Sequence, residues 1–182
     1  MNSLYTYFKK LPALFLTGLF LLYSGCFDDG KKEAAEKLTE DLARIDQYLA
    51  EHNIPQERVG QDPSGRIRYV IDTVGTTKQP TLENCISVRY AGRFLEDSTV
   101  FTQSVNSSYT LAGNLIDGWK IGLQQLHEGD VATVYIPSGL AYGPTGLPLQ
   151  NIPPDAIVFF RFKILRVGDK FSPDPSPTGS CK

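Results

Sequence analysis

The sequence predicts an α+β domain in which one short helix lies across a curved antiparallel β-sheet, with an amphipathic helix in front of it. Three observations carry this. First, Ile67-Arg68-Tyr69-Val70-Ile71, Ile86-Ser87-Val88-Arg89-Tyr90 and the segments 131–136 and 157–167 are β-branched and aromatic runs bounded by Gly, Pro or Asn, the signature of half-buried strands. Second, residues 117–126 place Trp119, Leu123 and Leu126 at i, i+4 and i+7, a helical face that must cover a sheet. Third, 12 Pro and 16 Gly occur without a period in a chain that is 41% hydrophobic, which means many turns around an ordinary core rather than disorder. At 182 residues there is room for one such domain and a short appendage.

Taken in order, the chain opens with Lys9 and Lys10, an almost wholly apolar run over residues 11–23, and then Ser24, Gly25 and Cys26. Basic, apolar and small residues in that order make an export signal. The run is shorter than the roughly 20 apolar residues needed to cross the hydrocarbon, so cleavage is expected rather than a retained anchor. Leu22-Tyr23-Ser24-Gly25-Cys26 resembles a bacterial lipobox, although Tyr23 is bulkier than usual at its position. That resemblance implies acylation of Cys26 and attachment to a membrane at the extracytoplasmic side of the bacterial cell envelope.

Residues 31–52 lack Gly and Pro, are rich in Ala, Glu, Lys and Leu, and set Leu38, Leu42, Ile45 and Leu49 at helical spacing. This narrow apolar stripe either packs on the chain's own β domain, the favoured reading, or pairs with a second copy as a homodimer. Asn53, Pro55, Pro63 and the glycines at 60 and 65 end the helix and place a boundary near residue 60. The expected organisation is a signal segment (1–25), a lipidated N-terminus with its stalk helix (26–60), a β-rich domain (61–168) and a Pro-rich tail (169–182).

Composition narrows the function. The formal charge is −2 with 18 basic residues and no basic cluster, which argues against nucleic acid as a partner. Three cysteines, Cys26, Cys85 and Cys181, and two histidines, His52 and His127, offer no CxxC pair and no ligand cluster, so no metal is expected.

Val88-Arg89-Tyr90-Ala91-Gly92, then Val100-Phe101, Leu115-Ile116-Asp117-Gly118-Trp119-Lys120-Ile121-Gly122-Leu123, Ile136-Pro137, Leu140-Ala141-Tyr142-Gly143 and Ile152-Pro153-Pro154-Asp155-Ala156 resemble, in that order across residues 66–167, FKBP-type peptidyl-prolyl cis-trans isomerases. The resemblance implies an apolar pocket between sheet and short helix that receives a prolyl ring. Tyr90, Phe101, Trp119, Tyr142 and Phe160 would be its catalytic walls. Leu115, Ile116 and Ile152 would be substrate-binding contacts, with Ile152 at the loop rim. It further implies catalysis without cofactor on proline-containing polypeptides, here exported chains folding at the envelope. The chain departs from the family at Thr102, where an acidic residue commonly follows the phenylalanine. That departure keeps a second reading open, a turnover-deficient FKBP-like peptide-binding module or chaperone. By the same resemblance, the strand opening at Cys85 pairs antiparallel with the last strand. The 13 residues 168–180 could then fold back to bring Cys181 to Cys85 and form a disulfide.

Overall fold

The structure, a computed structural model, describes residues 29–111 and 113–168. In chain order these form helix α1 (Asp29–Glu51), strands β1 (Val59–Gln61), β2 (Arg68–Thr73), β3 (Cys85–Phe94) and β4 (Val100–Thr110), helix α2 (Asp117–Leu123), and strands β5 (Val131–Ile136) and β6 (Val158–Val167). The chain divides into two compact units, residues 1–35 and 36–182. Of the first, the described residues 29–35 are the opening turns of α1. The expectations placed on residues 1–25, on Cys26 and Cys181 and on the tail 169–182 lie outside the described residues.

All six strands join one antiparallel sheet in the order β1-β2-β5-β6-β3-β4. Four of them fall on the runs read from the sequence. β4 and the three-residue β1 are additions, and β4 supplies one edge of the sheet. The expected antiparallel pairing of β3 with β6 is present, Ile86 opposite Val167 and Phe94 opposite Val158.

Helix α2 lies on one face of this sheet. Side chains at its Gly118 and Gly122 would collide with Ile136 and Val134 of β5, so two glycines one turn apart allow helix and strand backbones to approach closely. Trp119 and Leu123 project from α2 into the core formed with Val88, Val134, Phe160 and Phe162. The helix is shorter than the expected 117–126. After Leu123 the chain tightens into i→i+3 bonds, Gln125 N–H to the Gly122 carbonyl and Leu126 N–H to that of Leu123, which still bury Leu126.

Helix α1 covers part of the opposite sheet face. Ile45 and Leu49 are fully buried against Val70, Leu95, Tyr135, Ile157 and Phe159. Removing two such side chains from water stabilises the docking by roughly 1.5–3 kcal/mol each. Arg68 forks onto the Asp46 carboxylate at 2.9 and 3.1 Å and fixes the helix over β2. The docking corrects the apolar stripe. The buried positions are Asp41, Ile45 and Leu49, while Leu38 and Leu42 are only half-buried. The helix is rotated so that Asp41 can reach Ser138, and this turns the two leucines toward the edge of the contact. Packing on the chain's own sheet accounts for Ile45 and Leu49.

β6 shows the two faces together. Val158, Phe160 and Phe162 alternate toward α2, Phe159 points toward α1, and beyond the cover of α1 the outward positions become Arg161 and Lys163. Cys85, at the start of β3, is disulfide-bonded, and Gly168 N–H donates to its carbonyl oxygen at 2.7 Å.

Candidate active site

Between α2 and the concave sheet face lies a cleft of about 620 Å³. Each wall comes from a different element. Tyr90 stands on β3, Thr102 and Tyr109 on β4, Leu115 and Ile116 on the approach to α2, Trp119 on α2 and Phe160 on β6. Tyr142, Thr145, Leu147 and Gln150 come from the long loop between β5 and β6.

Trp119, 5% exposed, is the hub of the floor. Tyr90, Tyr109, Phe160 and Phe162 surround its indole edge-to-face, at centroid separations of 4.9, 5.5, 5.1 and 4.9 Å. Such perpendicular contacts hold a ring through its quadrupole as well as through buried area. The indole Nε1 is buried without a hydrogen-bond partner among the described residues.

Of the eight cleft residues read from the sequence, six line it: Tyr90, Leu115, Ile116, Trp119, Tyr142 and Phe160. Phe101 stands behind the lining. Its ring stacks on Phe94 at 4.8 Å and meets Tyr142 and Phe160 edge-on at 5.9 and 5.6 Å, so it supports both from the rear. Ile152, expected at the rim, is 1% exposed and off the lining. It exchanges two backbone hydrogen bonds with Leu147, at 2.9 and 3.1 Å, and closes the base of the rim loop. Thr145, Leu147 and Gln150 join the lining from the loop of residues 142–151 that the resemblance places at the rim, whereas sequence reasoning missed Tyr109 and Asn114. Tyr109 had one usable signal, an aromatic residue eight positions after Phe101 and therefore on the same face of a strand.

The polar groups here are phenols and hydroxyls. Tyr90 Oη lies 3.3 Å from Tyr109 Oη. Burial, reinforced by that neighbour and opposed by the Thr102 hydroxyl, pushes the Tyr90 phenol up to about 12. Burial also raises the Tyr142 phenol. Both therefore remain neutral at physiological pH, able to donate a hydrogen bond without presenting charge. Thr102 occupies the lining at the position where the family commonly has an acid, and no Asp or Glu among the described residues lines this cleft. Among the described residues no group of three or more His, Cys, Asp or Glu could hold a metal ion. His127 instead faces the Asp130 carboxylate at 3.6 Å. A second depression of about 660 Å³ runs along β3, β4 and β6 and presents Arg89, Arg161 and Lys163, side chains unsuited to a neutral prolyl amide.

Comparison with known proteins agrees with this geometry. The model of the family described as FKBP-type peptidyl-prolyl cis-trans isomerase matches residues 76–165, which span β3 to β6 and every lining residue of the cleft. A probable FKBP-type peptidyl-prolyl cis-trans isomerase FkpA of Neisseria meningitidis is 36% identical over 128 residues, 69% of this chain and 45% of the relative. The peptidyl-prolyl cis-trans isomerase FPR2 of Saccharomyces cerevisiae is 32% identical over 108 residues, 52% of this chain and 79% of the relative. The crystal structure of a peptidyl-prolyl cis-trans isomerase from Pseudomonas syringae superposes with a TM-score of 0.62 at 26% identity, covering 74% of this chain and 96% of that one. The chain spans about half the length of the bacterial curated relatives it matches. With the crossing helix and every lining residue of the aromatic cleft inside the matched span, the chain belongs to the FKBP-type peptidyl-prolyl cis-trans isomerase family.

Proposed function

We propose that this protein catalyses cis–trans isomerisation of X-Pro bonds in polypeptides, using the cleft floored by Trp119. The observation that carries this reading is the combination of aromatic walls with a neutral, inward-lying Tyr142 phenol and no carboxylate on the lining. Rotation about an X-Pro bond breaks amide resonance over a barrier of roughly 18–20 kcal/mol and makes or breaks no covalent bond. Acid, base and nucleophile are not required. The planar amide is the more charge-separated and better hydrated form. A water-excluding cleft therefore destabilises it relative to the twisted transition state. Trp119 and Phe160 supply the surface for the prolyl ring. Tyr142 donates to a substrate carbonyl and holds the peptide while the bond turns. Lowering the barrier by about 5 kcal/mol gives several thousand-fold acceleration.

The test is protease-free exchange spectroscopy on a short X-Pro peptide. Acceleration over the buffer control is expected, and a rate equal to that control refutes the reading. Thr102, in place of the family's common acid, favours one alternative, a binding module that holds prolyl peptides without turnover. Peptide binding read by Trp119 fluorescence at the buffer rate would support it.

The cellular setting follows from the sequence. Acylation of Cys26 after removal of residues 1–25 would tether domain 61–168 at the extracytoplasmic side of a bacterial membrane, where it would act on exported chains. Conversion of Cys26→Ser to a soluble or unprocessed form tests the tether. In that oxidising space we assign Cys181 as the disulfide partner of Cys85. The close approach of Gly168 to Cys85 supports this, since the chain leaves β6 beside that cysteine.

A further inference from the structure

Asp41 sits on the buried face of α1 with no solvent exposure. Its Oδ2 accepts two hydrogen bonds from one residue of the β5–β6 loop, Ser138, from N–H at 2.8 Å and from Oγ–H at 2.6 Å. Its other oxygen faces Lys37 Nζ at 2.9 Å. That contact, first of all the hydrogen bond to Asp41, raises the Lys37 ammonium above its ordinary range. Ser138 satisfies Oδ2 and the Lys37 ammonium answers the charge, while Oδ1 is left without a well-aligned hydrogen-bond donor among the described residues. An apolar residue would dock a helix at less cost than a buried carboxylate held in this way. Stability alone therefore does not explain an acid at this position.

The place it grips does. Ser138 is itself fully buried and opens the 3-10 turn Ser138–Leu140. The turn is closed by Leu140 N–H to the Pro137 carbonyl and Ala141 N–H to that of Ser138, both at 3.0 Å. The next residue is Tyr142. Its phenol has no hydrogen bond among the described residues, and its ring has one aromatic neighbour, Phe101. Tyr142 packs at the margin of the core with Leu140 and Ala141, and no polar bond of its own fixes it; the nearest upstream hydrogen bond that ties its backbone to another element is the Asp41–Ser138 contact.

We propose that Asp41 is a positioning residue for the cleft, so that docking of α1 on the far face of the sheet holds Tyr142 in its working position. This rests on the reading of the cleft as the isomerase site. It makes α1 part of the enzyme rather than a spacer, and a chain in which α1 is pulled from the sheet has a weakened site.

The experiment compares Asp41→Ala, Asp41→Asn and Ser138→Ala with Ile45→Ala. The last loosens the same docking through packing alone. All are measured in the full chain, well below the melting temperature of each variant. Asp41→Ala should lower kcat/KM about tenfold, the scale on which sub-ångström misplacement is felt. Ser138→Ala and Asp41→Asn each keep part of the contact and should fall between it and the parent. Ile45→Ala should lower the melting temperature and leave kcat/KM within about twofold of the parent. In a Tyr142→Phe background, Asp41→Ala should cost less than threefold, because the two residues act on one step. If Asp41→Ala does not fold, Ser138→Ala and Asp41→Asn decide by the same two comparisons. The proposal is overturned if the Asp41 and Ser138 variants keep parental kcat/KM, if Ile45→Ala lowers it equally, or if the losses simply multiply with Tyr142→Phe. A parent without turnover refutes the isomerase reading instead, and the same variants are then compared by prolyl-peptide affinity.

Discussion

Replacing Gly92 with alanine should damage the cleft more than the fold. Gly92 on β3 lies between Thr102 of β4 and Phe160 of β6 in the sheet register, on the face that forms the back of the cleft. An added Cβ would stand 2.5 Å from Phe160 Cε1, 2.8 Å from Thr102 Cγ2 and 3.0 Å from Phe101 Cζ. Ordinary contact begins near 3.4 Å, so the Phe160 ring must retreat by about 0.9 Å. Phe162 and Trp119 block it on two sides, at 5.8 and 5.1 Å between centroids, which leaves the cleft as its outlet. Overpacking of this kind costs about 1–3 kcal/mol, or a fall of roughly 3–12 °C in melting temperature for a domain of this size. A displacement near 1 Å in a cleft wall should lower kcat/KM about 10- to 100-fold. Circular dichroism melts and prolyl exchange rates measured on one preparation test both numbers. A variant melting as predicted but turning over at the parental rate would show that Phe160 does not shape the site.

Tyr142→Phe should reduce kcat/KM about 2- to 13-fold, the equivalent of one net hydrogen bond. Its melting temperature should stay within about 1 °C of the parent, since the phenol serves no bond inside the fold; a lower melting temperature at unchanged turnover would reverse the assignment. Thr102→Asp places a carboxylate beside the neutral Tyr90 phenol and should leave the rate equal or higher, whereas a tenfold loss in the exchange assay would contradict the proposed polar wall. Tyr90 and Tyr135 are both pushed up to about 12, chiefly by burial, while an unfolded tyrosine titrates near 10. Above pH 10 the unfolded chain releases protons that the folded one retains, so stability present in full below pH 10 should decline between pH 10 and 12. Tyr135→Phe, remote from the cleft, should flatten that decline in melts recorded against pH, and an unchanged slope counts against the assignment. Thiol labelling of the denatured, non-reduced protein should modify neither Cys85 nor Cys181; label on both would disprove their bridge.

The parts legible in the sequence were those whose residue types serve one purpose. β3 and β6 are rich in β-branched and aromatic residues because both sit in the sheet interior, and the face of α2 shows in Trp119 and Leu123 because it has a single sheet to cover. β4 was not readable. It holds Gln103, Ser104, Asn106, Ser107 and Ser108, polar residues that an edge strand tolerates because one side of its ladder meets water. Tyr109 was hidden in the same run. Asp41 ran against the rule used to find the α1 stripe, because hydrophobic periodicity has no way to mark a carboxylate that is buried by bonding a residue 97 positions away. Phe101 and Ile152 were found as members of the cleft's neighbourhood. Whether a side chain lines a cavity or braces its wall depends on ångström-scale packing that residue type does not encode.

The place of β6 in the sheet sets the order in which the molecule can be completed. It joins the β1-β2-β5 portion to the β3-β4 portion, yet it follows both in the chain. A nascent chain that has emerged only as far as residue 157 holds two unconnected sheet fragments, each with an open edge where β6 belongs, and both aromatic cores lack their Phe159, Phe160 and Phe162 wall. Pairings this distant in sequence close slowly and leave strand edges exposed meanwhile. A copy that emerges from its N-terminus therefore gains its aromatic cleft in one late step, when β6 inserts, and until then it has the exposed edges and apolar faces of an unfolded chain.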